Sequence, residues 1–544
     1  MSSGEFRLHS SRRAVLRGIG TAGLALAAPA IIRPAEAQEM SGMAGMKGMA
    51  KQPPAANRPG LFERALPIPA QLAGEERAGA LHYRLRMAPG RTSLLADKLT
   101  PTWGFNGAYL GPTLRIPRGR SVKIDVANAL NQSTTTHWHG AHVNGEMDGG
   151  PHSLIGAGET FHYAFSLDQP AATLWYHPHP DTRTGSHVFA GLAGLVYVDD
   201  PASAPPGLPS TYGADDLPLV VQDRAFNPDG TLAYMTSAMD RMGMKGDYIL
   251  VNGREQPFAE VPAQWVRLRL LDGSNARVYY FGFADNREFQ VIASDAGLLR
   301  RAVPVRRLLL APGERAEIMV DLSRDQGKSL VLRSYSGEIV PSLSKTSMDS
   351  DALDRGVFDI LQLRVTSPSG HRTALPPRLA EIETLRTDLP ARNFTLQTTD
   401  KMNKGPAPGE DGRQRPHTAP GPGGMSLGVG GEDWFSINHQ YMNPRLINAA
   451  VKLGSTEIWQ FENRSEMAHP MHYHGVSFQI LSVNGRPPAP EMAGWKDTVL
   501  VRHNETVRTI ARFTRPASKA YPFMLHCHIL EHEDNGMMNQ FTVS

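Results

Sequence analysis

Four His-x-His pairs restrict this chain more than any other feature of its sequence. His137 and His139 stand in "HWHG", His177 and His179 in "HPHP", His472 and His474 in "HPMHYHG", and His526 and His528 in "HCH". A β-strand has a side-chain period of two, so each pair points both rings to one face. Imidazole nitrogen suits copper, zinc and iron alike, and one pair alone says little. Four pairs together point to metal, and eight imidazoles are too many for one ordinary ion. The reading is a multinuclear cluster. Two pairs lie in the first third of the chain and two in the last, so these regions are expected to touch, with the middle as a spacer.

The intervening sequence is expected to be all-β. Helical periodicity is scarce, while short alternating runs bounded by Gly, Pro or Asn are frequent. In "RIPRGRSVKIDVANAL" the residues Val122, Ile124 and Val126 alternate with Lys123 and Asp125. The pattern returns in "FAEVPAQWVRLRLLDGSN" and "AAVKLGSTEIWQFENRS", which reads as three copies of one β unit. "LAPGERAEIMVDL" adds a turn and a strand to the middle copy. No histidine lies between Val188 and Gly370. Boundaries are placed at 61–200, 201–369 and 370–544, with a Gly- and Pro-rich loop over about 402–431 in the last domain.

The first 37 residues are read as an export signal rather than structure. Arg12 and Arg13 precede a short apolar run and a small-x-small site ending at Ala37, the order of a twin-arginine signal. This implies a periplasmic protein. The segment carries five arginines against Glu5 and Glu36, which accounts for the whole formal charge of +3. The remainder is near neutral and offers no basic face for nucleic acid. No later stretch is apolar enough for a membrane span. The chain is expected to act as a monomer.

Cys527 is the only cysteine, which excludes an intrachain disulfide framework. If "HCH" lies on a strand, His526 and His528 face one metal cluster and Cys527 faces another site. His532 and Met537 follow, and His469 completes a set of two His, one Cys and one thioether. That is the ligand field of a blue-copper electron-transfer centre. Met538 is the alternative thioether, and the spacing favours Met537.

These motifs, above all "HCHILEHEDNGMM", resemble those of the three-domain multicopper oxidases, the laccase and copper-efflux oxidase family, over essentially the whole chain beyond the signal. The resemblance implies three cupredoxin-like Greek-key β-sandwich domains and four coppers. It assigns His469, Cys527, His532 and Met537 to the type 1 copper, and His137 and His472 to the type 2 copper. The type 3 pair falls to His139, His177, His179, His474, His526 and His528. Electrons from an external donor would pass through Cys527 to the cluster, where O2 is reduced to water. Asp148 in "GEMDGG" and Glu533 in "HEDNG" match acids that deliver protons in the similar efflux oxidases. His142, His152, His162 and His187 are left out of the ligand set. A copper store or electron-transfer protein is the alternative, but a store has no need of the Cys527 bridge, and relatives that have lost their metals lack ligands this chain keeps.

Methionine usage points to two donors. Met40, Met43, Met46 and Met49 recur every three residues in the Gly-rich tail at 38–60, and Met235, Met239, Met242 and Met244 cluster in the middle domain. Thioethers suit Cu(I). Yet the Met-rich insertion of many efflux oxidases is replaced by the Gly- and Pro-rich loop, with only Met402 and Met425. Met467 matches a substrate-copper ligand of those enzymes, whereas Ser465 stands where they carry an acid, and Glu466 is one place out of register. A less covered type 1 copper would favour phenols and aromatic amines.

Overall fold

The computed structural model describes residues 61–202, 205–343, 353–370, 373–398, 421–425 and 435–544. The segment read as an export signal, the Met-rich tail and most of the Gly- and Pro-rich loop lie outside these residues.

Six β-sheets pair into three sandwiches in chain order. The strand Ser121–Asn128 follows the alternation read from its sequence, with Val122, Ile124 and Val126 buried and Lys123 exposed. These residues meet Leu114 and Trp138 in the first core. Leu268, Phe281, Ile318 and Val320 build the second. Trp459, Phe461, Tyr473 and Phe541 build the third. Each such side chain, once fully buried, contributes about 1.5–3 kcal/mol.

The strand register supports three copies of one unit. In each sandwich an early strand runs parallel to one three or four strands further along the chain: Tyr83 beside Ile124, Leu219 beside Leu270, Phe394 beside Phe461. In each, another early strand runs parallel to the last: Leu114 beside Val196, Val261 beside Val365, Ala450 beside Thr542. Such crossovers between the two sheets are those of a Greek-key sandwich.

Not every strand keeps the alternation. Arg315–Asp321, from "LAPGERAEIMVDL", is buried on both faces as far as Val320. One face packs on the middle core, and the other carries Arg315 and Glu317 towards the neighbouring sandwiches. Three short helices, Gly145–Asp148, Thr184–Phe189 and Leu530–Asp534, interrupt the β structure beside the histidine pairs. Among the described residues no helix is long and apolar enough to cross a membrane.

Candidate metal centre

Strand periodicity sorts the candidate ligands of the last sandwich. His469–Tyr473 pairs antiparallel with Phe523–Cys527, placing Met471 opposite Cys527 and His472 opposite His526. His469, Met471 and Cys527 therefore face the sandwich core, while His472 and His526 face outward to the first sandwich. The strand ends at Cys527, and His528 keeps its place because its N–H donates to Pro470 O at 2.6 Å. In the first sandwich, His137–His139 pairs with Ala172–His177 and sets His137 opposite His177.

The first and last sandwiches meet at these rings, as the sequence requires. His137 stacks on His474 with centroids 3.9 Å apart, and His139 stacks on His472 at 3.8 Å. All eight rings are buried. Burial and the neighbouring imidazoles hold His139, His177, His179, His472, His474 and His528 well below the ordinary histidine value, so these rings are neutral at neutral pH. Neutral imidazole is the form that binds a metal.

Hydrogen bonds decide which nitrogen of each ring carries the proton. The Nδ1–H groups of His137, His177, His472 and His526 donate to the carbonyls of Asp148, Pro178, Asp497 and Cys527 at 2.7–3.0 Å. His474 Nδ1 donates to Asp148 Oδ2 at 2.7 Å. Each of these rings thereby keeps a lone pair on Nε2. His139 is reversed, donating from Nε2 to Asp497 Oδ1 at 3.1 Å and keeping its lone pair on Nδ1. His474 Nε2 and His526 Nε2 then face each other at 3.2 Å, two lone pairs with no proton between them. His179 Nε2 lies 3.2 Å from His526 Nε2 as well. His137 Nε2, His139 Nδ1, His177 Nε2, His472 Nε2 and both His528 nitrogens are buried with no hydrogen-bond partner. Lone pairs converging in a dry site call for cations, and the residues fit them.

The second site has the same logic. His532 Nε2 donates to Met242 O at 3.2 Å, and His469 Nε2 lies 2.6 Å from Ser465 Oγ, so both rings keep lone pairs on Nδ1. Those two nitrogens are 3.2 Å apart and lie 3.5 and 3.6 Å from Cys527 Sγ. Met537 is buried in the same cluster and its carbonyl accepts the Cys527 N–H at 3.0 Å. Burial pushes the Cys527 thiol well up and holds His469 down to about 3, so a bound cation is what would draw the proton from the thiol.

Both candidate acids are buried beside ligand rings. Asp148 ends the helix Gly145–Asp148 and holds His474 through Oδ2 and His137 through its carbonyl. Glu533, on Leu530–Asp534, accepts Thr184 Oγ1 at 2.5 Å and lies 3.1 Å from His526 Nδ1 and 3.3 Å from His179 Nδ1. The histidines left out of the ligand set stay out of the cluster: His142 contacts Ser477, His152 contacts Gln540, His187 contacts Thr134, and His162 is an exposed partner of Asp125. Met467, Met242 and Met425 are in apolar packing, Met467 and Met242 in the Cys527 cluster and Met425 in the core of the first sandwich.

Several site residues are not singled out in the sequence. Asp534 accepts the N–H groups of Thr184 and Gly185 at 2.9 Å and so joins the helices of the first and last sandwiches. Glu531 accepts Tyr234, Asn275 and the Met244 N–H at 2.7–2.9 Å, and burial pushes its carboxyl up to about 7. Asp497 also reaches the histidines, and Arg315 grips Asp497. The one sequence signal for the last pair is the glycine closing "HWHG": a Cβ on Gly140 would stand 2.5 Å from Asp497 Oδ2 and 2.7 Å from Arg315 Nη2.

Comparison with known proteins agrees with this chemistry. Two multicopper oxidase family models match residues 87–203 and 414–544. The multicopper oxidase mco of Staphylococcus haemolyticus is 34% identical over 474 residues, 86% of this chain and 90% of that protein. The cell division protein FtsP of Pectobacterium atrosepticum is 34% identical over 506 residues, 93% of this chain and 97% of that protein. Among solved structures, a laccase-like multi-copper oxidase, CueO, from Ochrobactrum sp. superposes with a TM-score of 0.75 at 36% identity, covering 88% of this chain and 100% of that one. The Pediococcus acidilactici laccase gives 0.75 at 31% identity, with 91% and 95% covered. With its sandwiches, its two convergent nitrogen and sulfur sites and these relatives taken together, the chain belongs to the multicopper oxidase family.

Proposed function

We propose that this protein is a copper-dependent oxidase that takes single electrons from a donor at the Cys527 site and reduces O2 to water at the eight-histidine site. The observation that carries the reading is the tripeptide His526-Cys527-His528, whose thiol lies in one constellation and whose rings lie in the other. In this reading His469, Cys527, His532 and Met537 hold type 1 copper. His137 and His472 hold type 2 copper, and His139, His177, His179, His474, His526 and His528 hold the type 3 pair, four ions in all. When bound, copper supplies one-electron transfer at the first site and four-electron reduction of O2 at the second.

The protein's own groups do the rest. The backbone of residues 526–528 gives a covalent path from Sγ to two cluster rings. Asp148 fixes the His474 ring through Oδ2, while its Oδ1 is buried with no hydrogen-bond partner and is the atom at which a proton would be held. Glu533, bonded to Thr184 and beside His526, would serve the same purpose on the other side. The burial of every ring excludes bulk water from the cluster.

The donors are phenols or aromatic amines, Cu(I), or both, and the place is the periplasm, reached through the signal at 1–37. The likeness to FtsP favours a second reading, a family member without oxidase turnover; the full ligand complement supports the first. Oxygen uptake by the copper-loaded protein, with Cu(I) and with a methoxyphenol, each with and without added Cu(II), tests the donor. Preference for Cu(I), or phenol turnover that needs added copper, means copper detoxification. Phenol turnover without added copper means a laccase.

A further inference from the structure

The middle sandwich supplies none of the proposed ligands, yet one of its side chains grips the carboxylate that bonds to the histidine cluster. Arg315 is completely buried and uses all five of its N–H groups. Nε donates to Thr173 O of the first sandwich at 3.0 Å. Nη1 donates to Gly313 O at 3.1 Å and to Asp497 Oδ1 at 2.7 Å; Nη2 donates to Asp295 O at 2.8 Å and to Asp497 Oδ2 at 2.6 Å. This is a bidentate pair with a carboxylate of the last sandwich, the arrangement that fixes both partners most firmly.

Asp497 in turn grips two cluster rings from different sandwiches. Its Oδ1 accepts His139 Nε2–H at 3.1 Å, and its carbonyl accepts His472 Nδ1–H at 2.7 Å. The two rings stack 3.8 Å apart. Both Asp497 oxygens are committed to Arg315, so Asp497 is no ligand itself, although it lies within reach of a metal held by His139 and His472. Thr498 Oγ1 braces the same carboxylate at 3.0 Å. The close fit extends to Gly140, at φ +85°, where a side chain would strike Asp497 and Arg315, and to Gly313, where a Cβ would stand 2.8–2.9 Å from the His528 ring.

We propose that Asp497, locked by Arg315 of the middle sandwich, is a positioning residue that holds the proton of His139 on Nε2 and so turns Nδ1 to the metal, making the multinuclear centre a three-sandwich site. The inference rests on the copper reading above. Carbonyl or carboxylate acceptors on Nδ1 leave Nε2 as the ligand atom at His137, His177, His472, His474 and His526; without Asp497, only the neutral Thr498 hydroxyl, 3.3 Å from Nε2 and itself braced on Asp497, is left to hold His139 in the opposite tautomer.

The test compares Asp497→Ala, Arg315→Met and the double change Arg315→Met with Asp497→Leu against the parent protein. Copper per chain is read by mass spectrometry, uncoupling of the type 3 pair by a new electron paramagnetic resonance signal, the blue type 1 absorbance by optical spectroscopy, and the fold by circular dichroism. The single changes each leave one buried charge unpaired, which is destabilising in itself; the double change removes both charges. The expected result is that the double variant folds and keeps the blue absorbance, but holds less copper per chain or shows the signal of an uncoupled type 3 copper, since His139 belongs to that pair in the reading above. Parent-like copper content with no new signal in the double variant would show that the pair serves the fold alone and overturn the inference. A parent protein with no copper at the histidine site would overturn instead the reading on which it rests.

Discussion

Gly149→Ala, compared with Gly150→Ala, tests whether the turn after Asp148 is built for the site. Gly149 has φ +80°, where an L side chain costs about 1–2 kcal/mol. Its Cβ would also lie inside contact distance of Thr136 O, 2.6 Å from Thr136 C and 2.9 Å from His137 Cα. Ordinary carbon contacts begin near ~3.5 Å, so backbone must move by roughly 1 Å, and overpacking of that size costs about 1–3 kcal/mol. The loss is therefore about 2–5 kcal/mol before any hydrogen bond breaks. What moves is the entry to "HWH", and with it the bonds from Asp148 to His137 and His474. Gly150 is the internal control: it has no positive φ, and its Cβ would meet Asp148 Oδ2 at 3.4 Å and Met524 Cγ at 3.8 Å, ordinary contacts. Its alanine should stay within about 1 kcal/mol of the parent. Denaturant unfolding of the metal-free proteins and copper counting after loading measure both effects. Equal stability and equal loading in the two variants would refute the reasoning.

Asp148→Asn keeps the acceptor for His474 but removes the acid, and should slow turnover several-fold with little loss of blue colour; turnover unchanged across pH would contradict the proton role. Cys527→Ser should abolish the blue absorbance while the eight-histidine site still loads copper, read by absorbance and metal count. Glu317 gives a pH test away from the site. Burial by itself raises its carboxyl, but Arg267 and Arg269 outweigh burial and hold it down at about 2, against an ordinary 4.5. The stabilisation, about 3 kcal/mol, is complete above pH 4.5 and is lost as pH falls towards 2. Glu317→Gln should flatten the unfolding curve in that window.

The sequence disclosed the parts of the fold that repeat with a period. Val122, Ile124 and Val126 alternate because one face of their strand meets a core, and the His-x-His pairs share faces for the same geometric reason. It did not disclose Arg315–Asp321 as doubly buried, since Asp497 and Thr173, which cover its outward residues Arg315 and Glu317, come from other sandwiches. Asp497 lies 358 positions beyond the ring it orients, a contact no local pattern encodes. Asp148 and Glu533 were legible through neighbouring motifs, whereas Glu531 and Asp534, in the same "LEHED", act on the middle and first sandwiches and are recognisable only by what they touch.

The central claim is that the two constellations work as one oxidase. The most direct measurement is the ratio of donor oxidised to O2 consumed by the fully copper-loaded protein, with peroxide assayed in parallel. The account predicts four one-electron donor equivalents per O2, no peroxide, and loss of uptake when copper is removed. Full copper loading with no oxygen uptake, or uptake that ends in peroxide, would contradict it.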